Sequence, residues 1–139
     1  MAITTLARDI MDKSVITLPA TASVENAIET MTTANVWSLV VERQGLPVGV
    51  VTDRDILRRC LSKRLRPDSV KLEEVMSSPL ITISPEAQLG EVMQRMAEKA
   101  IRRLYVVQEG KIIGRITQTM LFENSTNTMM ALSSMRYHL

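Results

Sequence analysis

Gly49-Val50-Val51-Thr52-Asp53-Arg54-Asp55 reads as an apolar strand running straight into a helix start, and 65 positions later Gly114-Arg115-Ile116-Thr117-Gln118-Thr119-Met120 repeats its pattern. On both sides of this pair the match extends, and residues 10–57 lie on 75–122 without a gap. Met11/Met76, Ile16/Ile81, Thr17/Thr82, Ala22/Ala87, Met31/Met96, Leu39/Leu104, Val41/Val106, Gly45/Gly110, Gly49/Gly114 and Thr52/Thr117 are identical, and apolar residues fall on apolar ones between them. A repeat of this length decides the architecture before any local motif does. Each copy alone is small, since a domain of about 60 residues buries only about 60% of its unfolded surface, so the two are expected to fold as one paired module.

Local patterning gives each copy the order β-α-β-β-α. Ser23 can cap a helix to about Ala34, with Val24, Ala27, Ile28 and Met31 recurring at three and four positions. Trp37 to Val41 and Val48 to Val51, rich in β-forming residues and separated by Arg43-Gln44-Gly45, predict a hairpin. Thr52 then opens a helix with Ile56, Leu57, Cys60 and Leu61 on its apolar side. The second copy predicts an extended run Leu80 to Ile83, a helix from Leu89 to Lys99, and strands Leu104 to Gln108 and Ile112 to Thr117. The fold class is α+β. The first repeat is assigned residues 1–66, the second 67–123, and a tail 124–139. Arg64 to Leu72, with Pro67, reads as the linker, and Ser77-Ser78-Pro79 as a break in regular structure. In the tail, Met129, Met130, Leu132 and Met135 fall at roughly helical spacing, which suits a covering helix or a dimer contact.

Composition narrows the classes. With 139 residues and 45% apolar content the chain can supply a core, and disorder is not expected. A net charge of +2 does not argue for a polyanionic partner. Arg54, Arg58, Arg59, Lys63, Arg64 and Arg66 form a basic stretch, but Asp53, Asp55 and Asp68 interrupt it, and Trp37, Tyr105, Phe122 and Tyr137 are too few for a stacking platform. The lone Cys60 offers no disulfide or thiol cluster and suits helix packing. His138 is the only histidine and no metal-ligand spacing occurs, so neither catalysis nor a metal site is expected. There is no secretory leader pattern and no apolar run of the roughly 18 residues that span a membrane, which predicts a soluble cytoplasmic protein.

The Gly49–Asp55 motif carries the chemistry. A helix start gathers anions through unpaired backbone N–H groups and the dipole. Thr52 can add a hydrogen bond, and Asp55 can accept two from a ribose diol. The same two residues also spell a capping box, each side chain bonding the other's backbone N–H. The second copy keeps the threonine as Thr117 and replaces the acid by Met120, so the fold does not require a carboxylate there.

The doubled pattern with Gly49-x-x-Thr52-x-x-Asp55 resembles a pair of CBS domains, the Bateman module named after cystathionine β-synthase. The resemblance runs from about residue 7 to 122. Supporting marks are Asp9-Ile10-Met11 and Glu74-Val75-Met76, Val15-Ile16-Thr17 and Leu80-Ile81-Thr82, and Ile101-Arg102-Arg103-Leu104-Tyr105-Val106-Val107. It implies two clefts between the repeats, each able to hold an adenosine derivative such as AMP, ADP, ATP or S-adenosylmethionine. By the same resemblance Asp55 holds the ribose hydroxyls, Thr52 lies near phosphate, Ile81 flanks the base, and Arg102 and Arg103 reach phosphate. Val50, Thr52, Asp55, Ile81, Arg102 and Arg103 thus make one complete set. Ile16, Trp37, Ser38, Arg115, Thr117 and Met120 make a weaker or vestigial set, with methionine in place of the acid and tryptophan in place of an arginine. Trp37 suits a core or interface better than base stacking. Tyr105, and Val40 at the matching place, stand where the family commonly has proline.

The implied function is regulatory rather than enzymatic: an adenosine nucleotide binds between the repeats and a partner enzyme or transporter reads the result. A ligand biases two states only through its differential affinity for them. The alternatives are a dimerisation module with a vestigial site and a sensor of S-adenosylmethionine. A homodimer is implied, nucleic acid is not.

Overall fold

The computed structural model describes residues 5–124 of the chain. Its elements are α1 (Ala7–Ile10), β1 (Thr17–Pro19), α2 (Val24–Ala34), β2 (Ser38–Arg43), β3 (Leu46–Thr52), α3 (Asp53–Ile56), α4 (Leu72–Val75), β4 (Thr82–Ile83), α5 (Leu89–Lys99), β5 (Arg103–Gln108) and β6 (Lys111–Thr117). Helix α3 continues through Leu57–Leu61 in π geometry, and residues 118–124 are helical. Met129, Met130, Leu132, Met135 and His138 lie outside the described residues.

Two three-stranded sheets form, β1-β2-β3 and β4-β5-β6, each with one parallel and one antiparallel pairing. The 65-residue shift holds to the level of register. Val41 pairs with Gly49 as Val106 pairs with Gly114, and each hairpin carries an irregularity at the next residue of β2 or β5. The turns Gln44-Gly45 and Glu109-Gly110 have positive φ at both residues, the two-residue turn whose twist matches that of the strands it joins. Helices α2 and α5 both end on a left-handed residue, Asn35 and Ala100. The α+β class expected from the sequence is the observed one.

The chain condenses into two compact units that cut across the boundary placed at residue 66. The first unit is Val15–Ile81, and the second joins residues 5–14 to 82–124. The cause is that each repeat opens with a one-turn helix, α1 or α4, which packs away from its own repeat. Leu72 N–H donates to Ala22 O (2.9 Å) and Val24 N–H to Val70 O (2.8 Å), and Leu72 and Val75 join the core formed by Val24, Ala27, Leu39, Val51 and Cys60. In the second unit Ala7 N–H donates to Ala87 O (2.8 Å), the bond between the repeat counterparts of Leu72 and Ala22. The stretch read as a linker is therefore partly core: Val70 and Leu72 are buried.

The apolar side expected for the helix after Thr52 is split. Ile56 and Cys60 are buried, whereas Leu57 and Leu61 are exposed. The π turn, one residue wider than an α turn, shifts the residues that follow Ile56 around the axis.

Candidate functional site

Strand β3 delivers Thr52 to the start of α3, where the capping box forms. Thr52 N–H donates to Asp55 Oδ2 (2.9 Å), Asp55 N–H donates to Thr52 Oγ1 (3.2 Å), and the threonine hydroxyl itself donates to Asp55 Oδ2 (3.1 Å). Ser77 Oγ donates to Asp55 Oδ1 (2.9 Å), and Arg59 Nη1 stands 4.0 Å from the same oxygen. Asp55 is 7% exposed. An ionised carboxylate has about four lone-pair positions. Oδ2 is filled by Thr52, and Oδ1 keeps one position beyond Ser77. The capping and the ligand readings of this acid are thus compatible: one hydroxyl can be accepted directly, and a second requires Ser77 to yield.

The segment after α4 builds the wall beside this acid. Val50 and Ser77 exchange both backbone hydrogen bonds, 3.0 and 2.8 Å. The approach is so close that a Cβ on Gly49 would stand 2.7 Å from Ser77 O, and this is why a glycine precedes Val50. Arg59 Nη1 donates to Val75 O (3.1 Å) and Met76 O (2.7 Å), satisfying carbonyls left open where α4 ends. Ile81 closes the same compact unit, so Val50, Thr52, Asp55 and Ile81 share one body, while Arg102 and Arg103 belong to the other.

The corresponding junction of the second unit differs in kind. Thr117 Oγ1 still accepts from Met120 N–H (3.2 Å), half of the cap retained without the acid. Arg115, at the place of Val50, exchanges both backbone bonds with Asp12, at the place of Ser77, each 2.8 Å. Arg115 Nη2 also donates to Asp12 Oδ2 (3.2 Å), and Ser14 N–H donates to Asp12 Oδ1 (2.8 Å). The Ser14 backbone bond is the main influence that holds the Asp12 carboxyl below the usual aspartate value; partial desolvation opposes it and Arg115 adds to it. The second junction therefore lacks the acid at 120, but it is not merely apolar. Of the remaining residues of that set, Ile16 and Trp37 lie in the first unit with the buried Ser38.

Trp37 is not a core residue: it is 62% exposed. It lines a groove of about 440 Å³ between α2 and α3 with Ile28, Met31, Ile56, Leu57 and Leu61. Arg102 lines the equivalent groove of about 600 Å³ with Met93, Met96, Leu121 and Phe122. Tyr105 and Val40 are both buried. Cys60 is buried, Sγ lies 3.6 Å from Leu65 O, and desolvation pushes its thiol up, as suits helix packing. Among the described residues no three His, Cys, Asp or Glu side chains gather as metal ligands, and no helix is long and apolar enough to cross a membrane.

Ser77, Arg59 and Asp12, the partner of Arg115, were not singled out from the sequence as site residues. Arg59 had a signal, the opposite charge four residues from Asp55. Asp12 and Ser77 had one too, as mutual counterparts just after Met11 and Met76. Neither signal says which strand the leading segment joins.

The CBS domain family model matches residues 7–62 and again 72–126. CBS domain-containing protein YhcV of Bacillus subtilis is 33% identical over 77% of this chain and 76% of its own. Uncharacterized protein MJ1225 of Methanocaldococcus jannaschii is 34% identical over 81% of this chain. The chain spans 40% of the length of that relative. A crystal structure of an uncharacterized conserved protein from Pyrococcus horikoshii superposes with a TM-score of 0.82 at 35% identity, covering 90% of this chain and 95% of that one.

Proposed function

Because this chain belongs to the CBS-domain family, we propose that it is a regulatory module that binds an adenosine nucleotide of the AMP, ADP or ATP type. The ligand sits with its ribose on Asp55, and a partner enzyme or transporter reads the bound state. The observation that carries this reading is the geometry of Asp55: a buried carboxylate, fixed by Thr52 and Ser77, with one acceptor position left on Oδ1. Val50, Thr52 and Ile81 complete the wall from the same unit, and Arg102 and Arg103 supply phosphate contacts by the family pattern. S-adenosylmethionine belongs to the same ligand class and is the alternative within it. The protein acts without a catalytic cofactor, in the cytoplasm, as a homodimer.

The experiment is a calorimetric titration of wild type and Asp55→Asn with AMP, ADP, ATP and S-adenosylmethionine. Asparagine keeps an acceptor for the Thr52 N–H while removing the charge. Hydrogen bonds to charged groups contribute about 1.5–3 kcal/mol, so the substitution is expected to weaken binding by about 10- to 100-fold. Unchanged affinity in Asp55→Asn refutes the ribose assignment.

A second reading, an interaction module with a vestigial ligand site, is favoured by the two helix grooves. Trp37, Leu57, Met93 and Phe122 are large apolar side chains left exposed along them, and apolar surface of this kind marks contact sites. No heat with any of the four ligands decides for it.

A further inference from the structure

We propose that the Asp12–Arg115 ion pair closes the strand–helix junction of the second unit to ligand, so that Arg115, and not the missing acid at 120 alone, limits the chain to one nucleotide. The inference rests on the reading above. Directly opposed residues of a two-strand bridge project their side chains to the same face. Val50 and Ser77 are such a pair, and on that face Ser77 touches Asp55. Arg115 and Asp12 are the equivalent pair with the same mutual backbone bonds, so their side chains occupy the face that holds the acid in the first unit. There the first unit has a valine and a serine hydroxyl. The second has a guanidinium spanning to a carboxylate, with the Arg115 side chain 19% exposed and its Nη2 taken by Asp12.

Arg115 Nε is moreover buried with no hydrogen-bond partner among the described residues. A carboxylate introduced at 120 enters the face where this donor lies, and it is captured by the guanidinium before a ribose diol can use it. Restoring the acid alone does not restore a site. Residue 115 has to lose its charge as well.

The test is the number of AMP equivalents bound per chain, measured by calorimetry on Met120→Asp, on Met120→Asp/Arg115→Val, and on Met120→Asp/Arg115→Val/Asp12→Ser. The triple variant copies Asp55, Val50 and Ser77 of the first unit, and a cooperative thermal transition establishes which variants are folded. Met120→Asp is expected to bind no more AMP than wild type, and the double and triple variants one equivalent more. An added equivalent in Met120→Asp alone overturns the proposal, and so does a folded double or triple variant that stays at the wild-type count. Each variant is repeated with Asp55→Asn, which weakens the first site by about 10- to 100-fold and leaves the affinity of the new equivalent unchanged. Wild-type affinity that is unchanged by Asp55→Asn defeats the ribose reading, whereas the difference between the single and the double variant decides the inference.

Discussion

Asp55 and Asp12 show how one repeat pattern yields two acids with different work. Asp55 lies inside its helix start and is buried. Asp12 lies on the leading segment, with its side chain 37% exposed, and is spent on Ser14 and Arg115. The two sit at different positions of the repeat, so neither stands in for the other. Because the folded pKa of Asp12 is depressed, its stabilisation is full above the unfolded pKa and drains as the pH falls through the folded one. Wild type is therefore expected to lose more stability than Asp12→Asn between about pH 5 and about pH 2, read as the shift of the urea midpoint. An equal loss in both shows that the ionised Asp12 carboxylate, held first by the Ser14 backbone bond and then by Arg115, contributes nothing to folding. At this scale Thr52 and Asp55 were legible as cap and candidate ligand group, because the box is local in sequence. Ser77 was not, because a bond across 22 residues depends on where α4 docks.

Among the elements, the long helices were legible nearly to the residue and the hairpin strands to within two, while the entry strands, read from Val15 and Leu80, begin two residues later at Thr17 and Thr82. Val24–Ala34 and Leu89–Lys99 were read from their apolar spacing, since local periodicity is all that such a helix needs. The one-turn helices α1 and α4 and the π turn carry no periodic signal, being too short for one, and they were missed. Yet they set the site, because α4 carries the chain to Ser77. The helix ends also differ in cost. Asn35 and Ala100 both adopt the left-handed conformation, at φ 54° and 52°. Asparagine tolerates that region, while alanine bears the clash of its Cβ, roughly 1–2 kcal/mol. Ala100→Gly is expected to stabilise the protein by about 1 kcal/mol in urea unfolding, the backbone entropy of glycine offsetting part of the gain. Destabilisation by that substitution contradicts the assignment of the cap.

For the molecule as a whole, a shift of 65 residues relates two sheets, two hairpin turns, two helix caps and two exposed grooves. That much was written in the identities of Met11/Met76 through Thr52/Thr117. The boundaries of the compact units were not, because a repeat in sequence marks where a pattern restarts and not which sheet its first turn packs against. The proposed function rests on the departures from the repeat: Asp55 against Met120, Val50 against Arg115, Ser77 against Asp12. The most direct measurement is a crystal structure of the full chain grown with saturating AMP. The expected result is nucleotide beside Asp55, with a ribose hydroxyl within hydrogen-bond distance of Oδ1, and nothing beside Met120. Nucleotide seated only beside Met120, with the Asp55 carboxylate still held by Thr52 and Ser77 alone, contradicts it.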